Sequence, residues 1–143
     1  MRILIINGPN LNMLGKREPE VYGSKTLGEI NAEIDEKCEK TDVFCEFFQS
    51  NCEGEIVDKI HTVFDDFDGC IINAGAYTHY SYAIRDAIAC VPKPFIEVHL
   101  SDILKREDFR KISVIREVCA DMVSGLGEKS YHVALDKLAE LIK

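Results

Sequence analysis

The sequence predicts an α/β domain built on a parallel sheet with helices on both faces. Short apolar runs alternate with amphipathic stretches five times along the chain. The first run, Ile3–Ile6, is continuous rather than alternating, as in strands buried on both faces. With 143 residues, the chain reads as one domain spanning 1–143, because two domains would each be too small to bury a good core.

The elements follow in order. Ile3–Ile6 is the first strand, closed by Asn7-Gly8-Pro9-Asn10. The loop from Asn7 through Tyr22 is rich in Gly, Pro and Asn. It is long for a compact domain, and such loops usually cover or form binding sites. Thr26-Leu27-Gly28-Glu29 has capping-box spacing and opens a helix whose Leu27, Ile30, Ile34 and Cys38 share a face. Val43–Phe48 is the second strand. Ser50-Asn51-Cys52-Glu53 reads as another capping box, before a helix with Ile56, Val57, Ile60 and Phe64 inward. Gly69–Asn73 is the third strand, ended by Ala74-Gly75, and Tyr80–Ala89 is a helix stopped before Pro92 and Pro94. Phe95–Leu100 is the fourth strand and Asp102–Lys111 a short polar helix. Met122-Val123 lies in a fifth strand that ends at Gly125. Tyr131–Ile142 is the last helix, with Leu135, Leu138 and Ile142 inward.

Composition narrows the function. Lys plus Arg number 17 against 25 Asp plus Glu, a net charge of −8, which disfavours nucleic acid or an anionic membrane as partner. A small anionic ligand remains compatible, since it answers to a few local donors. Ile3–Ile6 is far short of the roughly 20 apolar residues of a spanning helix. It also lacks the apolar core and cleavage site of a signal peptide. The six cysteines form no CxxC pair and read as reduced, small apolar residues of a cytoplasmic protein. The four histidines show no metal-ligand spacing, so no metal is expected. There is no GxxxxGK[ST] loop, no GxGxxG after the first strand and no GxSxG elbow.

Ligands of open parallel sheets bind beyond the carboxyl ends of the strands. The segments expected there are Asn7–Tyr22, Asn73–His79 and His99–Ser101. Arg17 and Tyr22 share the long loop. Tyrosine is a poor base at its ordinary pKa near 10, and a guanidinium beside it favours the phenolate. Taken alone, such a pair is more often a solvated surface Arg and Tyr. His99 ends the fourth strand, and Glu97 is two residues earlier on the same face. A carboxylate in reach of an imidazole orients it and favours its protonated form, which makes His99 a candidate general acid. Asn73 and His79 flank the third strand–helix connection. The Leu100 and Ser101 N–H groups and the Ser hydroxyl are candidate carboxylate donors, and Arg110 could recognise hydroxyls or anionic charge.

The motifs together are more specific than any one of them. Asn7-Gly8-Pro9-Asn10-Leu11-Asn12-Met13-Leu14-Gly15-Lys16-Arg17-Glu18-Pro19 with Tyr22-Gly23 closely resembles the opening signature of type II 3-dehydroquinate dehydratases. Ile72-Asn73-Ala74-Gly75-Ala76-Tyr77-Thr78-His79, then Ala83-Ile84-Arg85-Asp86-Ala87, is similar to that family's second block. Glu97-Val98-His99-Leu100-Ser101, with Arg106-Glu107 and Phe109-Arg110, is similar to its third.

The resemblance implies a flavodoxin-like fold with strand order 2-1-3-4-5. It implies a cofactor-free, metal-free hydro-lyase of the shikimate pathway, leading toward chorismate and the aromatic amino acids, or of quinate breakdown. The enzyme would convert 3-dehydroquinate to 3-dehydroshikimate by anti elimination of water through an enolate. It also implies a homododecamer, a tetramer of trimers. By the same resemblance Tyr22 is the base, Arg17 its activator, and Asn12 the holder of a water near the enolate oxygen. His99 is the acid and Glu97 its orienting partner. Asn73, His79, Leu100, Ser101 and Arg110 contact substrate, and Asp86 reaches the site across the trimer interface.

Three positions depart from the family's pattern. Ala74 and Asp108 stand where Pro is usual, and Asp102 where Asn is usual. The first is expected to loosen the turn after Asn73, and the third to weaken carboxylate binding. An alternative of another class is a flavodoxin-like module for FMN or another phosphate ligand, for which the Gly8–Gly15 loop speaks.

Overall fold

A computed structural model describes all of residues 1–143. Its elements are β1 (Arg2–Asn7), α1 (Pro19–Tyr22), α2 (Leu27–Glu39), β2 (Phe44–Gln49), α3 (Glu53–His61), α4 (Val63–Asp66), β3 (Gly69–Asn73), α5 (Tyr82–Ala89), β4 (Phe95–His99), β5 (Asp121–Ser124) and α6 (Lys129–Ile142). The five strands form one parallel sheet in the order β2-β1-β3-β4-β5.

Side-chain alternation along the strands divides the core in two. Ile3, Ile5, Ile71, Ile96 and Val98 point to one face, where α2 packs with Ile30, Ile34 and Cys38 and α6 with Tyr131, Leu135 and Leu138. Leu4, Ile6, Cys70, Ile72 and Phe95 point to the other, covered by Ile56 and Ile60 of α3 and Ile84 and Ile88 of α5. Burial on both faces explains the unbroken apolar run of β1.

The predicted elements are present with shifts that have local causes. Thr26 closes its capping box with Glu29 in both directions. The second box does not form. Ser50 Oγ accepts from Cys52 N–H at 2.9 Å and donates to Glu55 at 2.5 Å, while Glu53 accepts from Ser81 Oγ at 2.5 Å. With both partners engaged elsewhere, α3 starts at Glu53 with Cys52 as its uncapped N-cap. Phe64 is half exposed rather than inward. The helix breaks at Thr62 and restarts as α4, so Val63 and Phe67 take the buried positions.

The helix expected from Tyr80 begins at Tyr82, because Ser81 caps it through Ile84 N–H; residues Gly75–His79 form a 3-10 turn instead. Asp102–Lys111 is two 3-10 turns, Ile103–Lys105 and Asp108–Lys111, rather than one helix. Cys38, Cys45, Cys70 and Cys119 are buried free thiols; Cys52 and Cys90 are exposed and do not act as core residues. No helix is long and apolar enough to cross a membrane.

Strand register aligns polar residues along the carboxyl edge of the sheet. Asn7 pairs with Gln49 on one side and Asn73 on the other, and His99 pairs with Ser124. Successive connections leave to opposite faces at the β1–β3 boundary, which opens a crevice there. The turns on either side of it are in close contact. Gly8 N–H donates to Asn73 O at 2.8 Å, and a Cβ on Gly8 would sit 2.5 Å from Ala74 O. Ala74 is fully buried against this glycine, so the turn after Asn73 is clamped without a proline. Gly8→Ala forces backbone apart and is expected to destabilise by about 1–3 kcal/mol. A urea titration checks this, and an unchanged midpoint would contradict the packing described.

Candidate active site

A cleft opens above this crevice. Pro9, Asn10, Leu11, Arg17 and Tyr22 line it from the β1 loop. Asn73, Gly75, Ala76 and His79 line it from the β3 loop. His99, Leu100, Ser101, Ile103, Arg106 and Arg110 close it from the segment after β4. The three segments singled out in the sequence therefore meet in one place.

Tyr22 lies at the end of α1, a single turn started by Pro19. Its phenol oxygen accepts from Arg17 Nη2 and Arg106 Nη1, each at 3.1 Å. The two guanidinium carbons stand 4.5 and 5.3 Å from the ring centroid. Two cations thus frame one hydroxyl. Arg17 is shared more loosely with Glu18 at 3.4 Å. Arg106 also donates to Ser101 Oγ at 3.1 Å, which ties the Tyr22 loop to the β4 segment.

His99 sits at the carboxyl end of β4, with Glu97 below it on the same face. The Nε2–H of His99 donates to Glu97 Oε2, which leaves Nδ1 for a ligand. Glu97 has no exposed surface, and its Oε2 also accepts from Ser113 Oγ at 2.8 Å. A buried carboxylate with partners on one oxygen holds the imidazole in one orientation and offsets positive charge on it.

His79 donates Nδ1–H to Ile112 O at 2.7 Å. Burial pushes its pKa below the ordinary histidine value, the hydrogen bond to Ile112 opposing. The neutral ring therefore presents Nε2 as an acceptor. Asn73 is fixed at both ends: Oδ1 accepts from Gly75 N–H at 3.2 Å, and Nδ2 donates to the Tyr131 hydroxyl at 3.1 Å. Arg110 is held 2.8 Å from Glu107, off the line of its Nε–H, so this is an ion pair without a directed hydrogen bond.

Of the residues picked from the sequence, Arg17, Tyr22, Asn73, His79, His99, Leu100, Ser101 and Arg110 line the cleft, with Glu97 directly beneath His99. Asn12 and Asp86 do not line it. Asn12 is exposed, with its Oδ1 3.4 Å from Gln49 Nε2, and Asp86 is exposed on α5. Asp102 turns away from the cleft: its carboxylate caps Leu104 N–H at 3.1 Å, so the charge expected to oppose a substrate carboxylate is engaged in a turn. Asp108 is solvent-exposed beside Lys111.

Sequence reasoning missed Arg106, Ser113, Tyr131 and the side chain of Asn7. Arg106 stood in the third motif block, but nothing in its spacing aimed it at Tyr22. Tyr131 and Ser113 carried no signal, since their partners are distant in sequence. No three His, Cys, Asp or Glu side chains are grouped to hold a metal ion.

A doubly wound α/β domain with an Arg-framed tyrosine and a carboxylate-held histidine in one cleft is a framework for acid–base chemistry. The model of the family described as dehydroquinase class II matches residues 1–139, and the chain belongs to that family. It is 54% identical over 142 residues to a 3-dehydroquinate dehydratase from Caldicellulosiruptor saccharolyticus, covering 99% of this chain and 98% of that relative. It is 51% identical over 142 residues to one from Halothermothrix orenii, covering 99% and 96%. The crystal structure of a type II dehydroquinase from Butyrivibrio crossotus superposes with a TM-score of 0.96 at 49% identity, over 97% of each chain.

His79 and His132 are both lowered by burial, His132 also by Lys37. The folded state therefore binds fewer protons at these sites than the unfolded chain. Their stabilising contribution is complete above the ordinary histidine value and lost as pH falls through the lowered values. The melting temperature should drop as pH falls below the ordinary histidine value, with a shallower slope in His79→Gln. An equal slope in parent and variant would remove His79 from this role.

Proposed function

We propose that this chain is a 3-dehydroquinate dehydratase, eliminating water from 3-dehydroquinate to give 3-dehydroshikimate. Family membership and its relatives' names support the activity. The single observation that carries the mechanism is the Tyr22 hydroxyl between Arg17 and Arg106, in the same cleft as the Glu97-held His99.

Tyr22 is the base. Two guanidinium donors stabilise negative charge on its oxygen, and the phenolate takes the proton from the carbon beside the ketone. That proton is too weakly acidic for an unaided base, so the resulting enolate must be stabilised where its charge develops. The family resemblance assigns the enolate oxygen to Asn12 through a water, although Asn12 lies on the same loop outside the cleft lining. The enolate then collapses and expels the hydroxyl, which leaves as water with the proton of His99. Glu97 orients His99 and balances its charge, and Ser113 steadies Glu97. Solvent afterwards returns a proton to His99 and takes one from Tyr22. Asn73, His79, Leu100, Ser101 and Arg110 hold the hydroxyls and carboxylate of the substrate. Closure of the Arg17–Tyr22 loop excludes water. No cofactor or metal enters these steps.

The functional unit is a dodecamer made as a tetramer of trimers, in which Asp86 of a neighbouring protomer completes each cleft. Exposed Tyr82, one turn before Asp86 on α5, is aromatic surface available for such a contact. The reaction serves the shikimate pathway in the cytoplasm. A phosphate-ligand module is less well supported. The N–H groups of Gly8, Asn10, Leu11, Met13 and Leu14 are all bonded within the protein, so this stretch of the loop offers few donors to a phosphate.

Pure protein given 3-dehydroquinate should develop the ultraviolet absorbance of a conjugated enone, and no turnover at any pH from mildly acidic to alkaline would overturn the assignment. Tyr22→Phe should lower kcat by about 10²-fold or more with the fold intact, and Arg106→Met should lower it in the same sense. A near-parental rate in Tyr22→Phe would remove Tyr22 as base. Borohydride with substrate should not inactivate the enzyme, because no lysine Schiff base is formed.

A further inference from the structure

Beneath the cleft lies a buried polar cluster that the acid–base steps do not use. Tyr131, on α6, is completely buried and lies on the sheet face opposite Glu97. Its hydroxyl joins two strand ends: it donates to Asn7 Oδ1 of β1 and accepts from Asn73 Nδ2 of β3. Burial pushes this phenol above its ordinary value, so it stays a neutral hydroxyl with one hydrogen to give. That hydrogen goes to Asn7, and only a lone pair remains for Asn73. Asn73 must therefore turn its NH2 end toward Tyr131 and its carbonyl toward the Gly75 N–H. A half-turn of the amide would set donor against donor at Gly75. The second Nδ2 hydrogen of Asn73 is left for an acceptor oxygen in the cleft that Asn73 lines.

Asn7 shows that this arrangement constrains its neighbours. Its Nδ2 is buried with no hydrogen-bond partner. Unpaired buried amides are unusual in folded proteins. Here the orphan follows from keeping Asn7 Oδ1 on the Tyr131 hydrogen.

We propose that Tyr131 is a positioning residue for substrate recognition: its hydroxyl, oriented by Asn7, locks the Asn73 amide with a donor facing the substrate. The inference rests on the reading of this cleft as the dehydratase site. The recognised group is an acceptor oxygen of the substrate, a hydroxyl or a carbonyl. The effect belongs to binding, since the Tyr131 hydroxyl is hydrogen-bonded to Asn7 and Asn73 and to neither Tyr22 nor His99.

The test is steady-state kinetics on Tyr131→Phe, Asn73→Ala and the double variant with 3-dehydroquinate, with folding checked by circular dichroism and thermal melting. Tyr131→Phe should raise KM by about tenfold, the factor set by one hydrogen bond of ordinary net strength. It should leave kcat within about threefold of the parent, because a change confined to recognition is read in KM. On the Asn73→Ala background the same change should cost little more in kcat/KM, because the contact it supports is already gone. A lower melting temperature with parental KM would assign Tyr131 a structural role only and overturn the proposal. So would effects of the two substitutions that simply multiply. If Tyr131→Phe does not fold, Asn7→Ala gives the second reading. Freed from its acceptor, the Tyr131 hydrogen can turn toward Asn73, and KM should again rise; an unchanged KM overturns the proposal. A parental enzyme without turnover would sink the reading of the cleft itself, a result distinct from an active parent with an unaffected Tyr131→Phe.

Discussion

The structure depends on how closely the carboxyl ends of β1 and β3 approach each other. Asn7 and Asn73 are register partners, and the chain leaves each by a turn that presses on the other. Only a hydrogen fits at Gly8 against the Ala74 carbonyl, and Gly75, at φ +59°, lies against Pro9 in the same way. This contact fixes the floor of the cleft. Above it the two loops diverge and leave room for a ligand. Below it the two asparagines meet the Tyr131 hydroxyl, so the last helix is bonded to the floor of the site. A parallel sheet supplies the geometry, because all its strands end on one side and its crossovers part at the switch point.

Electrostatics follow the same division. The chain carries a net charge of −8, yet three arginines converge on the cleft. The one carboxylate set deep beside it, Glu97, is committed to His99 and Ser113. Glu107 is held below the usual carboxylate range by its own backbone N–H and then by Arg110 and Arg106, so it stays an anion that steadies both guanidiniums. The remaining acidic residues lie mostly on helix faces. Total charge thus bears on solubility and on large partners, while a small anion senses the local cations.

The site joins parts carried by strands with parts carried by a loop. His99 and Asn73 stand at strand ends and Glu97 in the middle of β4, all three with almost no exposed surface. Tyr22 and Arg17 stand on a loop whose only regular elements are single turns, with Glu18 in the left-handed region at φ +36°. For a glutamate this backbone is strained, by roughly 1–2 kcal/mol. Arg106 bridges the two parts by holding both Tyr22 and Ser101. His99 and Asn73 are thus held by the sheet, and Tyr22 by the loop.

The sequence by itself determined the α/β class, the five strands and the segments that form the site. Those signals are local: an apolar run, a helical stripe, a turn residue, a carboxylate two positions from a histidine on one strand. Thr26 and Glu29 formed their box because both partners were free to do so. Ser50 and Glu53 had the same spacing, but nearby Glu55 and distant Ser81 took their hydrogen bonds. Asp102 reads as a charge beside the site, yet a backbone N–H two residues on turns it away. Only the tertiary structure decided that Arg106 is the second cation on Tyr22, that Ser113 supports Glu97, and that Tyr131 joins Asn7 to Asn73. Those contacts connect residues 84, 16, 124 and 58 positions apart. No periodicity or spacing rule reaches that far, because such partners are chosen by strand order and register, which exist only once the sheet has formed.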